Sequence, residues 1–112
     1  YRYCVLSDSL SNKGVLYAKI KIGDSFLVIF NTHLQASYFG SSEYHWNISV
    51  KTRIDHIDEL CGFIKNTLVN RKISMKNTKI LLVGDFNVDA HNYEKKKMVR
   101  IFINSNIIQY RT

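Results

Sequence analysis

The sequence predicts a mixed α/β fold, because two apolar segments of strand length flank a long amphipathic helix. Residues 26–30 (FLVIF) and 79–83 (KILLV) are almost continuously apolar, as expected for strands that are covered on both faces. Between them, apolar residues recur at steps of three and four from Val50 to Leu68, and charged residues occupy other positions. This arrangement is typical of layered α/β proteins.

The remaining elements follow from turn signals and from changes of period along the chain. Gly23-Asp24-Ser25 separates two apolar runs and predicts the turn of a β-hairpin. Ser49 is the expected N-cap of the long helix. In chain order we expect a strand at 1–6, a polar loop at 7–13, strands at 14–22 and 26–31, a loop at 37–47, a helix at 49–70, a strand at 80–83 and a shorter helix at 93–104.

The composition indicates a globular protein with an excess of positive charge. Hydrophobic residues make up 46% of the chain, which is enough to build a core and excludes a disordered protein. Sixteen Lys and Arg against nine Asp and Glu give a net charge of +7, which favours anionic partners such as phosphodiesters, nucleic acid or acidic lipid surfaces. Cys4 and Cys61 lack the spacing of a zinc site or a disulfide framework, so we expect core thiols.

The sequence predicts neither a membrane span nor an export signal within these 112 residues. It begins at Tyr1 without an initiator methionine and ends just after an apolar segment. There are no prolines, repeats or linker-like stretches. We therefore interpret residues 1–112 as the central portion of a single domain, whose N- and C-terminal parts are missing. Localisation stays open, and a secreted or a membrane-associated protein would both fit.

Polar residues of catalytic types stand where two apolar strands are expected to end. His33 follows the strand at 26–31, and Asp85 and Asn87 follow the strand at 80–83. In layered α/β proteins the segments that leave strand ends carry function on a rigid scaffold. Taken singly, His33 would be an ordinary loop or core histidine, and Asp85 with Asn87 an Asx turn. Together they predict a catalytic site.

Two motifs identify the family that this sequence resembles. Asn-Thr-His-Leu-Gln-Ala at 31–36 and Gly-Asp-Phe-Asn-Val-Asp at 84–89, with Lys-Gly at 13–14 upstream, resemble the endonuclease/exonuclease/phosphatase superfamily, and within it the neutral sphingomyelinases. The resemblance covers most of the chain and includes the helix with Arg53. It implies an α/β fold that is part of a four-layered α/β sandwich, in which two packed mixed sheets are flanked by helices as in DNase I. It also implies a Mg²⁺-dependent phosphodiesterase site.

The resemblance assigns His33, Asp85 and Asn87 to catalysis. The residue types agree with this chemistry, because an imidazole can donate to a phosphoryl oxygen, a carboxylate can relay a proton, and an amide can orient water. Asp8 and Lys13 match residues near the active site of neutral sphingomyelinases, and we expect them to bind substrate. The alternative is an ordinary hairpin with a solvated lysine.

The resemblance also implies a glutamate as the main magnesium ligand and a histidine as the general base. Neither can be assigned here, and we expect both outside this chain, so the metal ligands are unknown and the isolated piece should be inactive. His45, His56 and His91 are expected to be structural or exposed, and Arg53 is expected to form a structural ion pair.

The sequence is compatible with three functions. The first is hydrolysis of sphingomyelin to ceramide and phosphocholine at a membrane surface. The second is a related nuclease or inositol polyphosphate phosphatase, and the third is a non-catalytic or decayed binding module. Four aromatic residues between Tyr38 and Trp46 could meet a bilayer or a lipid headgroup, or could cover the helix that follows.

Overall fold

The structure is a computed structural model that describes residues 1–37, 42–88, 96–97 and 100–101. Its elements, in chain order, are a 3-10 helix at Leu6–Leu10, strand β1 at Val15–Ile22, strand β2 at Ser25–His33, helix α1 at Glu43–Asn70 and strand β3 at Thr78–Asp85. The strands form one sheet in the order β1-β2-β3. The predicted mixed α/β architecture is therefore present in this part of the chain.

The sheet combines an antiparallel hairpin with a parallel crossover. β1 and β2 pair in antiparallel register from Val15↔Thr32 to Ile22↔Ser25, and Gly23 takes a positive φ of 58° in the turn. β2 and β3 pair in parallel from Phe26↔Thr78 to His33↔Asp85, with α1 as the connection. Because the pairing is parallel, the carboxyl ends of β2 and β3 lie side by side.

One face of the sheet packs against α1. The core consists of fully or almost fully buried side chains on both elements, namely Val28, Phe30, Leu34, Ile57, Leu60, Cys61 and Ile64. Those on the helix recur at steps of three and four, as the sequence predicts. The predicted core position of Cys61 is confirmed, and Cys4 is half-buried.

Helix α1 begins six residues before the position that the sequence predicts. Ser42 is the N-cap, and its side chain accepts a hydrogen bond from the His45 N–H at 3.3 Å. Ser49 lies inside the helix, where its hydroxyl donates to the His45 carbonyl four residues earlier at 2.9 Å. Ser49 is therefore not the N-cap. The predicted loop at 37–47 is wrong for residues 43–47, because they belong to α1.

The predicted strand at 1–6 is also wrong. Residues 1–5 have no regular structure, although they are bonded to their surroundings. Side chains provide several partners of this segment: the Val5 N–H donates to Gln35 Oε1 at 2.9 Å, and the Arg2 N–H donates to Glu59 Oε2 at 2.9 Å. An alternation of apolar and polar residues therefore does not distinguish a strand from an irregular segment of this kind.

The other face of the sheet is apolar and is not covered by any of the described residues. Leu16, Ile20, Ile22 and Leu81 are 44–72% exposed, and strand alternation places them opposite the face that meets α1. The described elements make two layers, so the four-layered sandwich is not established by them. The predicted helix at 93–104 lies largely outside the described residues. No described helix is both long and apolar enough to cross a membrane.

Gly84 allows β3 to approach β2 at the end that carries Asp85. Its φ is +138°, and a Cβ atom at this position would lie 1.8 Å from the carbonyl oxygen of Thr32. Both the backbone angle and the contact therefore require glycine. Gly62 in the middle of α1 has no atom within 4 Å of the corresponding Cβ position.

We expect Gly84→Ala to lower the free energy of unfolding by about 3 kcal/mol, from backbone strain and overlap with Thr32. Gly62→Ala is the matched control, and it should raise the free energy of unfolding by about 0.5–1 kcal/mol through helix propensity. Urea unfolding of the intact protein measures both changes. Equal stability of the two variants would contradict the assignment of Gly84.

Candidate active site

The parallel register of β2 and β3 brings His33 and Asp85 together at the end of the sheet. They are register partners, and His33 Nε2 lies 3.9 Å from Asp85 Oδ2. Both side chains are more than half exposed. The sequence predicts both residues just after their strands. In the structure each is the last residue of its strand, because both strands extend two residues past their predicted ends.

Asn87 completes this group through two hydrogen bonds. Its backbone N–H donates to Asp85 Oδ1 at 2.9 Å, which closes the turn after β3. Its φ is +51°, a left-handed conformation that asparagine adopts more readily than most residues. Its side-chain Nδ2 donates to the Leu34 carbonyl at 3.0 Å. The turn therefore fixes the Asp85 carboxylate and the Asn87 amide relative to each other.

Residues 34–37, here called the 34–37 loop, connect the end of β2 to the rest of the site. The Leu34 N–H donates to the Asp85 carbonyl at 2.9 Å. The Leu34 carbonyl accepts from Lys13 Nζ at 2.7 Å as well as from Asn87. One backbone carbonyl thus joins the segment before β1 to the segment after β3.

Lys13 and Asp8 form a buried ion pair beside the 34–37 loop. Lys13 Nζ lies 2.8 Å from Asp8 Oδ2, and the two side chains are only 6% and 11% exposed. Asp8 Oδ2 also accepts from the Ala36 N–H at 2.8 Å. These bonds offset the desolvation of both charges. Lys13 is therefore not the solvated lysine of the alternative interpretation, and its substrate-binding role stays a prediction.

A groove of about 650 Å³ runs along these residues. Its lining includes Asp8, Lys13, Gly14, Asn31, His33 and Asp85. Four of the five predicted site residues thus share one groove, and Asn87 is bonded to its wall through Asp85. An exposed imidazole beside a carboxylate can exchange a proton with a bound substrate and hold the resulting positive charge.

These residues provide only part of a metal site. In the part of the chain that the structure describes, no group of three or more His, Cys, Asp or Glu side chains could hold a metal ion. Asp85 and Asn87 carry the oxygen types that Mg²⁺ prefers, but its octahedral shell needs more ligands or waters. The described residues alone do not fit a complete magnesium site.

Two buried residues hold the site together: Gln35, to which the sequence assigns no role within the 31–36 motif, and Arg53, for which the sequence predicts a structural ion pair. Gln35 is fully buried and bonds twice to Val5, accepting from its N–H at 2.9 Å and donating to its carbonyl at 3.1 Å. Arg53 is 1% exposed and donates from NH1 to the Gln35 carbonyl and to Ser37 Oγ, both at 2.8 Å. In the sequence, Arg53 stands out as a charged residue on the apolar face of α1.

The histidines of the chain occupy different surroundings. His56 is fully buried, stacks on the Tyr1 ring at 4.2 Å between centroids, and donates from Nε2 to the Tyr3 carbonyl at 2.6 Å. Its Nδ1 has no hydrogen-bond partner among the described residues. Burial lowers the pKa of His56. The structural role predicted for His56 is confirmed, His45 is half-buried, and His91 lies outside the described residues.

The chain is similar in sequence to proteins named sphingomyelinase. It is 38% identical over 89 residues to Sphingomyelinase C of Bacillus cereus, which covers 78% of this chain and 24% of that protein. No family model matches the chain. The chain spans about a quarter of the length of the curated relatives that it matches.

Solved structures give the same result for the fold. The crystal structure of SmcL matches with a TM-score of 0.71 and 28% identity, over 90% of this chain and 32% of that one. A beta toxin mutant from Staphylococcus aureus with bound magnesium ions matches with a TM-score of 0.65 and 28% identity, over 84% of this chain and 30% of that one. The agreement of sequence and fold indicates common descent.

We expect the stability of the protein to fall as the pH drops below about 6.5, the ordinary pKa of histidine. Because the pKa of folded His56 is lowered, the unfolded chain binds a proton that the folded chain resists, so this stability is complete above pH 6.5 and is lost below it. His56→Gln keeps a donor for the Tyr3 carbonyl and should flatten the pH dependence. Urea midpoints between pH 5 and 7.5 measure it, and equal slopes in both proteins would contradict the prediction.

Proposed function

We propose, because this chain shares sequence and fold with the neutral sphingomyelinases, that it is the central portion of a phosphodiesterase domain that hydrolyses sphingomyelin to ceramide and phosphocholine. The observation that carries the proposal is the His33–Asp85 pair, 3.9 Å apart at adjoining ends of parallel strands and open to a groove. Hydrolysis of a phosphodiester needs a proton for the leaving group and stabilisation of the phosphoryl oxygens. The pair is placed to supply both.

Each residue of the group has a distinct role in this proposal. His33 donates a hydrogen bond to a phosphoryl oxygen, since its imidazole is exposed at the groove. Asp85 orients His33 and stabilises the positive charge of its protonated form. Asn87 orients the attacking water or the phosphate without adding negative charge. The Lys13–Asp8 pair binds substrate from the groove wall, which both residues line.

The charges of the groove support a requirement for Mg²⁺. Lys13 contributes one positive charge and Asp8 and Asp85 one negative charge each, so the described lining carries a net charge of −1 while His33 is neutral. A phosphodiester is itself an anion and would be repelled. A magnesium ion would neutralise the phosphate, with Asp85 and Asn87 contributing ligands and the others coming from outside the described residues. The structural neighbour with bound magnesium supports this assignment.

The uncovered apolar face of the sheet supports the four-layered sandwich. Its exposed leucines and isoleucines would be unfavourable in water, and a second sheet would bury them. Residues 1–112 then form the central part of one larger domain, and the isolated piece would lack activity. Tyr44 and Trp46, both exposed in the first turn of α1, could meet the lipid surface on which the substrate lies.

A nuclease is the second candidate, and it would use a basic segment of the chain. Residues 60–84 contain five basic and no acidic residues, namely Lys65, Arg71, Lys72, Lys76 and Lys79. Such a segment can contact the phosphates of a nucleic acid. Phosphate contacts do not select a substrate, so this observation is compatible with either enzyme.

We expect the intact protein to hydrolyse sphingomyelin in mixed micelles much faster than it cleaves duplex DNA, and to lose this activity in a chelator. The comparison is made at two salt concentrations, because phosphate-mediated DNA binding weakens steeply with salt. DNA cleavage that dominates at physiological salt and requires Asp85 would establish the nuclease. No turnover of either substrate with magnesium present would contradict both enzymes and favour a non-catalytic or decayed binding module.

We expect His33→Ala and Asp85→Asn each to lower kcat by about 100-fold or more, because each removes acid–base or charge stabilisation of the transition state. Asp24→Asn is the matched control, since it makes the same change in the exposed turn at the opposite end of the sheet. Circular dichroism checks that the variants are folded. Full turnover by either folded site variant would remove that residue from the mechanism.

A further inference from the structure

The 34–37 loop has irregular backbone in a largely buried position, so its polar groups need partners from elsewhere. Leu34 and Gln35 are fully buried. Side chains supply most of the partners: Lys13 and Asn87 donate to the Leu34 carbonyl, and Asp8 accepts from the Ala36 N–H. The Gln35 carbonyl, in the middle of the loop, is bonded by Arg53.

Arg53 reaches this carbonyl from helix α1. Its NH1 donates to the Gln35 carbonyl and to Ser37 Oγ, both at 2.8 Å, and the residue is 1% exposed. A guanidinium removed from water to this extent is tolerated only where its donors are bonded. Arg53 therefore ties the rigid helix to the loop that continues directly from His33.

We propose that Arg53 is a positioning residue for the chemistry at His33, Asp85 and Asn87. The inference rests on the proposed function, because it assigns Arg53 a part in the same reaction. Arg53 is not among the described residues that line the groove, and it acts by holding the Gln35 carbonyl in place.

The coupling from Arg53 to the site runs through Leu34. The Leu34 N–H is bonded to the Asp85 backbone, and its carbonyl receives the Asn87 amide. A shift of Gln35 moves the adjoining Leu34 peptide and with it both bonds. The helix thus constrains the spacing between the two strand ends through the 34–37 loop. Displacements of about 1 Å at reacting groups can cost on the order of 100-fold in rate.

The test compares Arg53→Met, Arg53→Lys and the control Lys65→Met in the intact protein. Lys65 is an exposed residue of the same helix, so its replacement makes the same charge change without touching the loop. We expect Arg53→Met to lower kcat by roughly 100-fold with KM changed less than about twofold. Arg53→Lys should recover part of this loss, because an ammonium can donate to the Gln35 carbonyl. Lys65→Met should match the wild type.

Amide hydrogen exchange separates positioning from a purely structural role. In Arg53→Met the Leu34 and Ala36 amides should exchange at least about tenfold faster, while the Val28 and Leu82 amides in the strands stay protected. Faster exchange throughout the sheet, or unchanged kcat in the folded variant, would overturn the inference. If Arg53→Met does not fold, Arg53→Lys is judged by the same two measurements. If the wild type does not hydrolyse sphingomyelin, the proposed function fails. Unchanged amide exchange at Leu34 in the Arg53 variants would show, independently of activity, that Arg53 does not hold the loop.

Discussion

The buried backbone of the 34–37 loop is the constraint on which the site depends. A buried carbonyl or N–H without a partner costs about 1–3 kcal/mol, and β3 satisfies the Leu34 N–H of this loop through the Asp85 carbonyl. Other partners are side chains from the segments before β1 and after β3 and from α1. Satisfying the loop therefore draws Lys13, Asn87 and Arg53 to it, and Lys13 also lines the groove.

The parallel pairing of β2 and β3 adds a second constraint that acts along the strands. Sheet register allows steps of whole residues, so His33 either faces Asp85 or is displaced by a full residue spacing. Gly84 matters because the strands converge beside Thr32, where a side chain would overlap the backbone. The backbone thus sets the distance between imidazole and carboxylate, which leaves both side chains exposed and free to meet a substrate.

The sequence predicts the parts of this structure that depend on local pattern. The apolar period of α1, the hairpin turn at 23–25 and the polar residues at the strand ends are all visible within short windows. The errors arise where a local signal has two meanings. Ser49 resembles an N-cap but bonds within the helix, and residues 1–6 resemble a strand but pair with side chains. The hydrogen bonds from Arg53 and Lys13 to the 34–37 loop span 16 to 21 residues, and no local pattern encodes them.

The two pairs of acidic and basic side chains in the site differ in their burial, and this difference determines the charge that the groove presents to a ligand. Lys13 and Asp8 are buried and neutralise each other, whereas His33 and Asp85 are exposed at 3.9 Å, where solvent screens their attraction. Among the described residues, the groove lining contains one basic side chain, Lys13, whereas five basic side chains lie in residues 60–84. Net charge can attract an anionic surface from a distance, but it does not compensate the phosphate at the reacting groups. With one basic side chain, Lys13, and two carboxylates, Asp8 and Asp85, the described lining of the groove offers no net positive charge to an anionic ligand while His33 is neutral.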